Sequence, residues 1–188
     1  MPETARLLLR RPGMDDAEPF AAINADPEVT RFVSAAGPLT RAQSDLILRK
    51  MIEHWAGHGF GLWFADLRAT GELIGFIGLS HPLSLPALSG EVELGWRLGR
   101  PFWGHGYATE GAAEGVRWAF EERGLERLIS IIDRDNARSL RVAAKLGFTH
   151  WRDMDHPRWP RGVQVYSLRR DARRPNQGAG RMPARGLS

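Results

Sequence analysis

The sequence predicts an α/β domain, and three features carry that expectation. The second half of the chain alternates strand-like and helix-like segments twice. Three β-rich segments between residues 60 and 98 are parted by turn-forming residues, and a long helical pattern beginning at Thr40 carries its own start signal. With 188 residues, 43% of them hydrophobic, the chain has apolar mass for one packed core, and a second domain would have little core of its own. Residues 1–171 are therefore read as one domain and residues 172–188, rich in Arg, Pro and Gly, as a disordered tail.

In chain order, Ala5 to Arg11 reads as a first strand, with Leu7, Leu8 and Leu9 apolar before Pro12 stops it. A short helix starts at Asp15 or Asp16 and ends before Pro27. The stronger helix runs from Thr40 to His58: Thr40 is the N-cap, Gln43 completes a capping box, and Leu46, Ile47, Lys50, Met51, His54 and Trp55 follow helical spacing. Phe60 to Leu67, Leu73 to Ser80 and Glu91 to Leu98 read as strands, separated by Ala69-Thr70-Gly71 and by a loop from Pro82 to Gly90. A helix follows from about Tyr107 to Arg123, with Ala108, Ala112, Val116, Ala119 and Phe120 as its buried stripe. After a strand at Leu128 to Ile132, Asn136 caps a helix that ends at Leu146, with Gly147 at the left-handed position beyond it. Phe148 to Arg152 and Val163 to Arg169 complete the pattern as strands.

Composition narrows the function. No stretch approaches the roughly 20 apolar residues of a membrane span, and Met1 to Pro12 holds three arginines without a signal-peptide-type apolar run. A soluble, cytoplasmic protein without a membrane partner is expected. The absence of cysteine excludes disulfides, thiolate catalysis and Cys-type zinc sites. The net charge of +4 is matched by Arg173, Arg174, Arg181 and Arg185 in the acid-free tail, which leaves residues 1–171 formally neutral and argues against a nucleic-acid-binding face.

The most informative segment is Leu98-Gly99-Arg100-Pro101-Phe102-Trp103-Gly104-His105-Gly106-Tyr107-Ala108-Thr109-Glu110. Glycines between a strand and a helix let successive backbone N–H groups turn toward one anion, and the helix N-terminus adds its positive dipole end. A P-loop would need lysine and a hydroxyl where His105 and Gly106 stand, so triphosphate chemistry is disfavoured. A dinucleotide fingerprint would need glycine where Thr109 stands.

Around that loop lie Glu93-Leu94-Gly95-Trp96-Arg97-Leu98, Asn136-Ala137-Arg138-Ser139 and Lys145-Leu146-Gly147-Phe148. Together these resemble the GNAT superfamily of N-acetyltransferases, and within it the branch of Rim-type ribosomal-protein N-terminal acetyltransferases. The resemblance runs from the first strand to about Arg170. It implies a mixed, mostly antiparallel sheet of six to seven strands, splayed between strands four and five, with helices on both faces. It also implies acetyl-coenzyme A as co-substrate. The family loop reads Arg or Gln, two residues, Gly, one residue, then Gly or Ala; Gly106 and Ala108 match, while Trp103 replaces the Arg or Gln. By the resemblance, Gly104, His105, Gly106, Tyr107, Ala108 and Thr109 hold the pyrophosphate through backbone amides, with Trp103 beside them. Trp96 and Leu98 face the pantetheine arm, and Asn136 contacts the cofactor while also serving as an N-cap.

An attacking amine must lose a proton and the leaving thiolate must gain one. Glu93, on the strand nearest the thioester, is the preferred base, and Glu91, two residues earlier on the same strand face, is the alternative. A main-chain N–H on that strand is the expected stabiliser of the developing oxyanion. Many relatives carry a tyrosine acid where this chain has Ala143, so Ser139 or solvent supplies the proton. Phe60, Trp63, Phe64 and Phe76 are read as core or as acceptor-groove walls. His81, His150 and His156 show no metal-ligand spacing, and no metal is required. The expected reaction is acetyl transfer to a primary amine, a protein amino terminus or a small molecule, by direct attack in a ternary complex. A homodimer is compatible with this reading, and a non-catalytic acyl-coenzyme A sensor is the competing class.

Overall fold

In the computed structural model, residues 2–32, 34, 36–82, 85–156 and 159–171 are described; the tail expected to be disordered, residues 172–188, lies outside them. The predicted elements form with shifted ends. Strand β1 is Leu7–Arg10, followed by a 3-10 turn, Met14–Asp16, and helix α1, Ala17–Asn24. A short helix absent from the sequence reading, α2 at Pro27–Thr30, begins where α1 was expected to have stopped. Pro27 occupies its first turn, where no N–H is needed, and Asp26 Oδ1 accepts from Glu28 N–H at 2.9 Å.

Helix α3, Arg41–His58, has the expected capping box: Thr40 Oγ1 accepts from Gln43 N–H at 3.3 Å and Gln43 Oε1 from Thr40 N–H at 2.8 Å. Thr40→Ala is expected to cost about 1 kcal/mol, read as a lower urea midpoint at unchanged slope. The buried face of α3 is Ser44, Leu48, Met51 and Trp55, and Leu46 is 50% exposed, so the apolar stripe is rotated from the one its sequence suggested. Tertiary packing on the sheet selects this face, since the helix carries apolar residues on more than one side.

Strands β2, Leu62–Leu67, β3, Leu73–Ser80, and β4, Glu93–Leu98, come next, then helix α4, Tyr107–Glu121, and strand β5, Arg127–Ile132. Helix α5, Ala137–Leu146, and strands β6, Thr149–His156, and β7, Trp159–Arg169, complete the chain order. The seven strands form one sheet in the order β1-β2-β3-β4-β5-β7-β6. Every neighbouring pair is antiparallel except β4 and β5, which run parallel. The expected mixed, mostly antiparallel sheet is therefore present, with helices on both faces.

On one face α4 and α5 cover the main core, which includes Leu7, Trp63, Ile77, Leu94, Val116 and Ala143. Gly111 and Gly115 let α4 lie directly on the strands, since a Cβ at either would come within 3 Å of Ile77 or Leu94. On the other face Phe20 of α1 and Leu48 and Met51 of α3 pack on Phe64 and Phe76. A third cluster joins Leu85 and Leu88 to Ile129, Val163 and Val165. No helix among the described residues is long and apolar enough to cross a membrane.

Candidate active site

The one parallel pair determines where the site lies. β4 and β5 meet at a single register position, Glu93 opposite Ile129, where Ile129 N–H donates to Val92 O at 2.9 Å. Past that point, toward Leu98 and Ile132, the ladder ends and a cleft of about 530 Å³ opens. Parallel strands connected by a helix run in the same direction, so their C-terminal ends and the start of α4 gather at this mouth.

Of the expected site residues, Glu93, Trp96, Leu98, Trp103, Gly104, Gly106, Tyr107, Ala108, Thr109, Asn136 and Ser139 all line this cleft. His105 is absent from the lining. Its carbonyl accepts from Arg6 Nη1 at 3.0 Å, and its exposed ring lies 5.7 Å from that of Tyr107. Leu98 is only 5% exposed, with most of its surface in the main core.

The loop has the backbone form an anion cradle needs. Gly104 and Gly106 both sit at φ +83°, a left-handed conformation costly for residues with a Cβ. Gly106 is the N-cap of α4 and offers no side-chain cap; the first amide to close onto the helix is Glu110 N–H, bonded to Gly106 O at 3.0 Å. Among the described residues the amides of Gly104 through Thr109 have no acceptor. Two further contacts brace this helix start. Arg6 bonds Glu110 through its backbone N–H at 2.9 Å and its Nε at 2.7 Å, and Thr4 Oγ1 donates to the same carboxylate at 2.5 Å. The bond from Arg6 to the His105 carbonyl then ties the loop to the chain's first strand. No local pattern near residue 6 announces these pairings, 99 and 104 positions away along the chain.

Trp103, the departure from the family pattern, is held by Nε1–H donation to Leu98 O at 2.8 Å and carries the Arg138 guanidinium 4.3 Å above its ring. Arg138, Arg141 and Lys145 of α5 also line the cleft. The sequence reading missed these cations, although positions 138, 141 and 145 mark one helix face at i, i+3 and i+7. Asn136 caps α5 by accepting from Ser139 N–H at 3.1 Å, so its capping role is realised at the cleft wall.

Glu93 keeps some surface on the cleft while its carboxyl is desolvated. Burial pushes that carboxyl up to about 7, partly offset by a hydrogen bond from the Ile131 main chain. The alternative base, Glu91, falls outside β4 and away from the cleft. Arg127 engages its carboxylate, with Nε at 3.1 Å and a closer Nη2 contact, which makes Glu91 a structural ion-pair partner. Ala143, at the position of the family tyrosine, is 0% exposed and packed in the main core.

The expected scattering of histidines holds only in part. His81 lies against His54 and His58, with potential ligand atoms of all three within 4.8 Å of one another. His54 Nδ1 bonds Phe60 O at 2.9 Å and its Nε2 accepts from His81 N–H at 3.2 Å, so both ring nitrogens are engaged. Helical spacing at 54 and 58 was the legible signal; the third member required the sheet. His150 pairs with Asp153 at 2.9 Å. Trp63 and Phe64 are core residues as expected, and Phe76, also largely buried, lines the cleft.

Residues 6–149 match the acetyltransferase (GNAT) domain family. The FsC-acetyl coenzyme A-N(2)-transacetylase of Aspergillus fumigatus is 35% identical, with the match covering 78% of this chain and 64% of that protein, so the chain spans less than two thirds of this relative. The crystal structure of the acetyltransferase from Agrobacterium tumefaciens superposes with a TM-score of 0.74 at 34% identity, covering 88% of this chain and 92% of that one. The microcin C7 self-immunity acetyltransferase MccE, solved with acetyl-CoA and AMP, shares the fold at a TM-score of 0.69 and 15% identity, with 88% and 93% covered. A sheet that parts beside a loop of unpartnered amides, together with these likenesses, places this chain in the GNAT acetyltransferase family.

Proposed function

We propose that the protein transfers an acetyl group from acetyl-coenzyme A to a primary amine by direct attack in a ternary complex. The observation that carries this reading is the shared cleft: Gly104 and Gly106 through Thr109, whose amides have no acceptor among the described residues, and Glu93 with its desolvated carboxyl line one space. The residues present fit the group. Six successive amides without acceptors, two left-handed glycines and the positive end of α4 suit a pyrophosphate, and Arg138, Arg141 and Lys145 add positive charge at the rim. Acetyl-coenzyme A supplies the acetyl group there as a thioester.

Each remaining role falls to this chain. Main-chain groups on the β5-facing edge of β4, released from pairing beyond Glu93, orient the extended arm and donate an N–H to the oxygen where negative charge develops. Glu93, with its proton affinity near neutral, takes the proton from the amine directly or through water. Ser139 lines the same cleft and is the side chain we assign to donate toward the leaving sulfur. The Rim-type resemblance supports protein amino termini as acceptors, and the Aspergillus relative, named for transfer to an N(2) position, supports an amine nitrogen as the attacking group.

The test is thiol release from acetyl-coenzyme A over amino-terminal peptides and small amines, with calorimetric binding of the donor measured in parallel. Donor binding without thiol release for any amine would favour a sensor. Trp103→Ala, which removes the platform under Arg138, is expected to weaken donor affinity about three- to tenfold while kcat holds, read by the same calorimetry.

A further inference from the structure

β4 presents a second charged residue to the acceptor half of the cleft. The strand is regular from Glu93 to Leu98, so Glu93, Gly95 and Arg97 share the face opposite Leu94 and Leu98, which enter the main core. Arg97 pairs across the ladder with Phe76, and its guanidinium lies 5.1 Å from that ring. Both residues line the cleft, as do Val29 of α2 and Leu62 of β2.

Among the described residues Arg97 has no acid partner. Its hydrogen-bond partner among the described residues is neutral: Nη1 donates to Asn24 Oδ1 at 2.8 Å, and Asn24, itself 0% exposed, donates through Nδ2 to Ser44 Oγ at 2.9 Å. Its Nε is buried without any hydrogen-bond partner. Glu28, another carboxylate on this wall, lies 3.9 Å from Arg31. The Asn24 and Ser44 relay therefore orients the guanidinium without neutralising it. Burial depresses the proton affinity of this group to about 10, which still leaves it charged at neutral pH. A guanidinium beside the Phe76 ring, with a buried Nε left without a partner, is arranged to receive an anion from outside the chain.

We infer that Arg97 is the carboxylate-binding subsite of the acceptor pocket, and that the acceptor is a molecule carrying both a primary amine and a carboxylate. This rests on the acetyl-transfer reading above. Charge balance selects the carboxylate over a phosphate ester: one negative charge neutralises one guanidinium, whereas a dianion would leave an uncompensated charge against an apolar wall. Glu93 and Arg97 lie four positions apart on one strand, about 13 Å between Cα atoms, so an acceptor that bridges the two side chains carries its amine and its anion several bonds apart.

The experiment uses the full chain and matched acceptors that differ only in charge: β-alanine with β-alaninamide, 6-aminohexanoate with 6-aminohexanamide, and lysine with lysinamide, plus phosphoethanolamine. Thiol release should show kcat/KM at least about tenfold higher for the carboxylate in one or more pairs, with the difference in KM. Arg97→Gln should bring that ratio close to one, and Arg97→Lys should restore part of it, with acetyl-coenzyme A calorimetry and thermal melts showing that both variants fold. Turnover without carboxylate preference, a preference that survives in Arg97→Gln, or phosphoethanolamine as the best substrate would each overturn the subsite and leave acetyl transfer standing. Failure of the unsubstituted protein to bind acetyl-coenzyme A would overturn the reading beneath it, and donor binding without turnover of any member would overturn the subsite as well.

Discussion

Glu93→Gln is expected to lower kcat about 10²- to 10⁴-fold while leaving acetyl-coenzyme A affinity within a few-fold of the unsubstituted protein. The amide keeps the shape of the side chain and removes its ability to accept a proton. The pH profile carries the sharper signature. A base works as the carboxylate, so activity should rise with pH through about 7 and level above it, and the variant should lose that limb. Stability should move the other way. The folded protein holds the Glu93 proton up to about 7, whereas the unfolded carboxyl releases it near 4.5. The group's contribution is thus complete below 4.5 and declines as pH rises through 7. At pH 8 Glu93→Gln should therefore be more stable than the unsubstituted protein by ~1–3 kcal/mol, with the gap closing toward pH 4. A fully active variant, or one with an unaltered pH profile, removes Glu93 from the role of base.

Gly106→Pro is expected to abolish detectable acetyl-coenzyme A binding, a loss of about 100-fold or more. Proline fixes φ near −65° where the loop requires +83°, and it deletes one of the amides facing the cleft. Gly106→Ala separates these two effects, since it keeps the N–H and adds only the left-handed strain of about 1–2 kcal/mol, with its Cβ 3.5 Å from Arg6 Nη2. Its binding loss should be about tenfold. Circular dichroism and melting temperature establish that each variant folds. Unchanged calorimetric affinity in a folded proline variant would remove the loop from the binding site.

The glycine turn, the Asn136 cap and the acid on β4 were all readable in the sequence because each depends on a local rule. A left-handed backbone position calls for glycine, a helix start calls for an acceptor side chain, and a strand presents alternate residues to one face. The same locality explains the misplacements. Glu91 obeys the strand periodicity as well as Glu93 does, and only the approach of Arg127 from β5 makes it an ion-pair partner. Leu46 fits a helical stripe, yet docking on Phe64 and Phe76 turned α3 to bury Ser44, Leu48, Met51 and Trp55. His81 had no local partner, and β3 carried it to the face of α3.

The sequence by itself determined the element order, the family loop and the chemistry it suits, since periodicity, caps and glycine positions act within a few residues of chain. Tertiary structure alone decided which charges are satisfied. Arg6 closes on Glu110 and Arg127 on Glu91, while Arg97 lines the cleft with a neutral partner and a spare donor among the described residues. Desolvation and pairing depend on what arrives from distant parts of the chain, and the same arrangement that raises Glu93 to about 7 leaves Arg97 charged and without an acid.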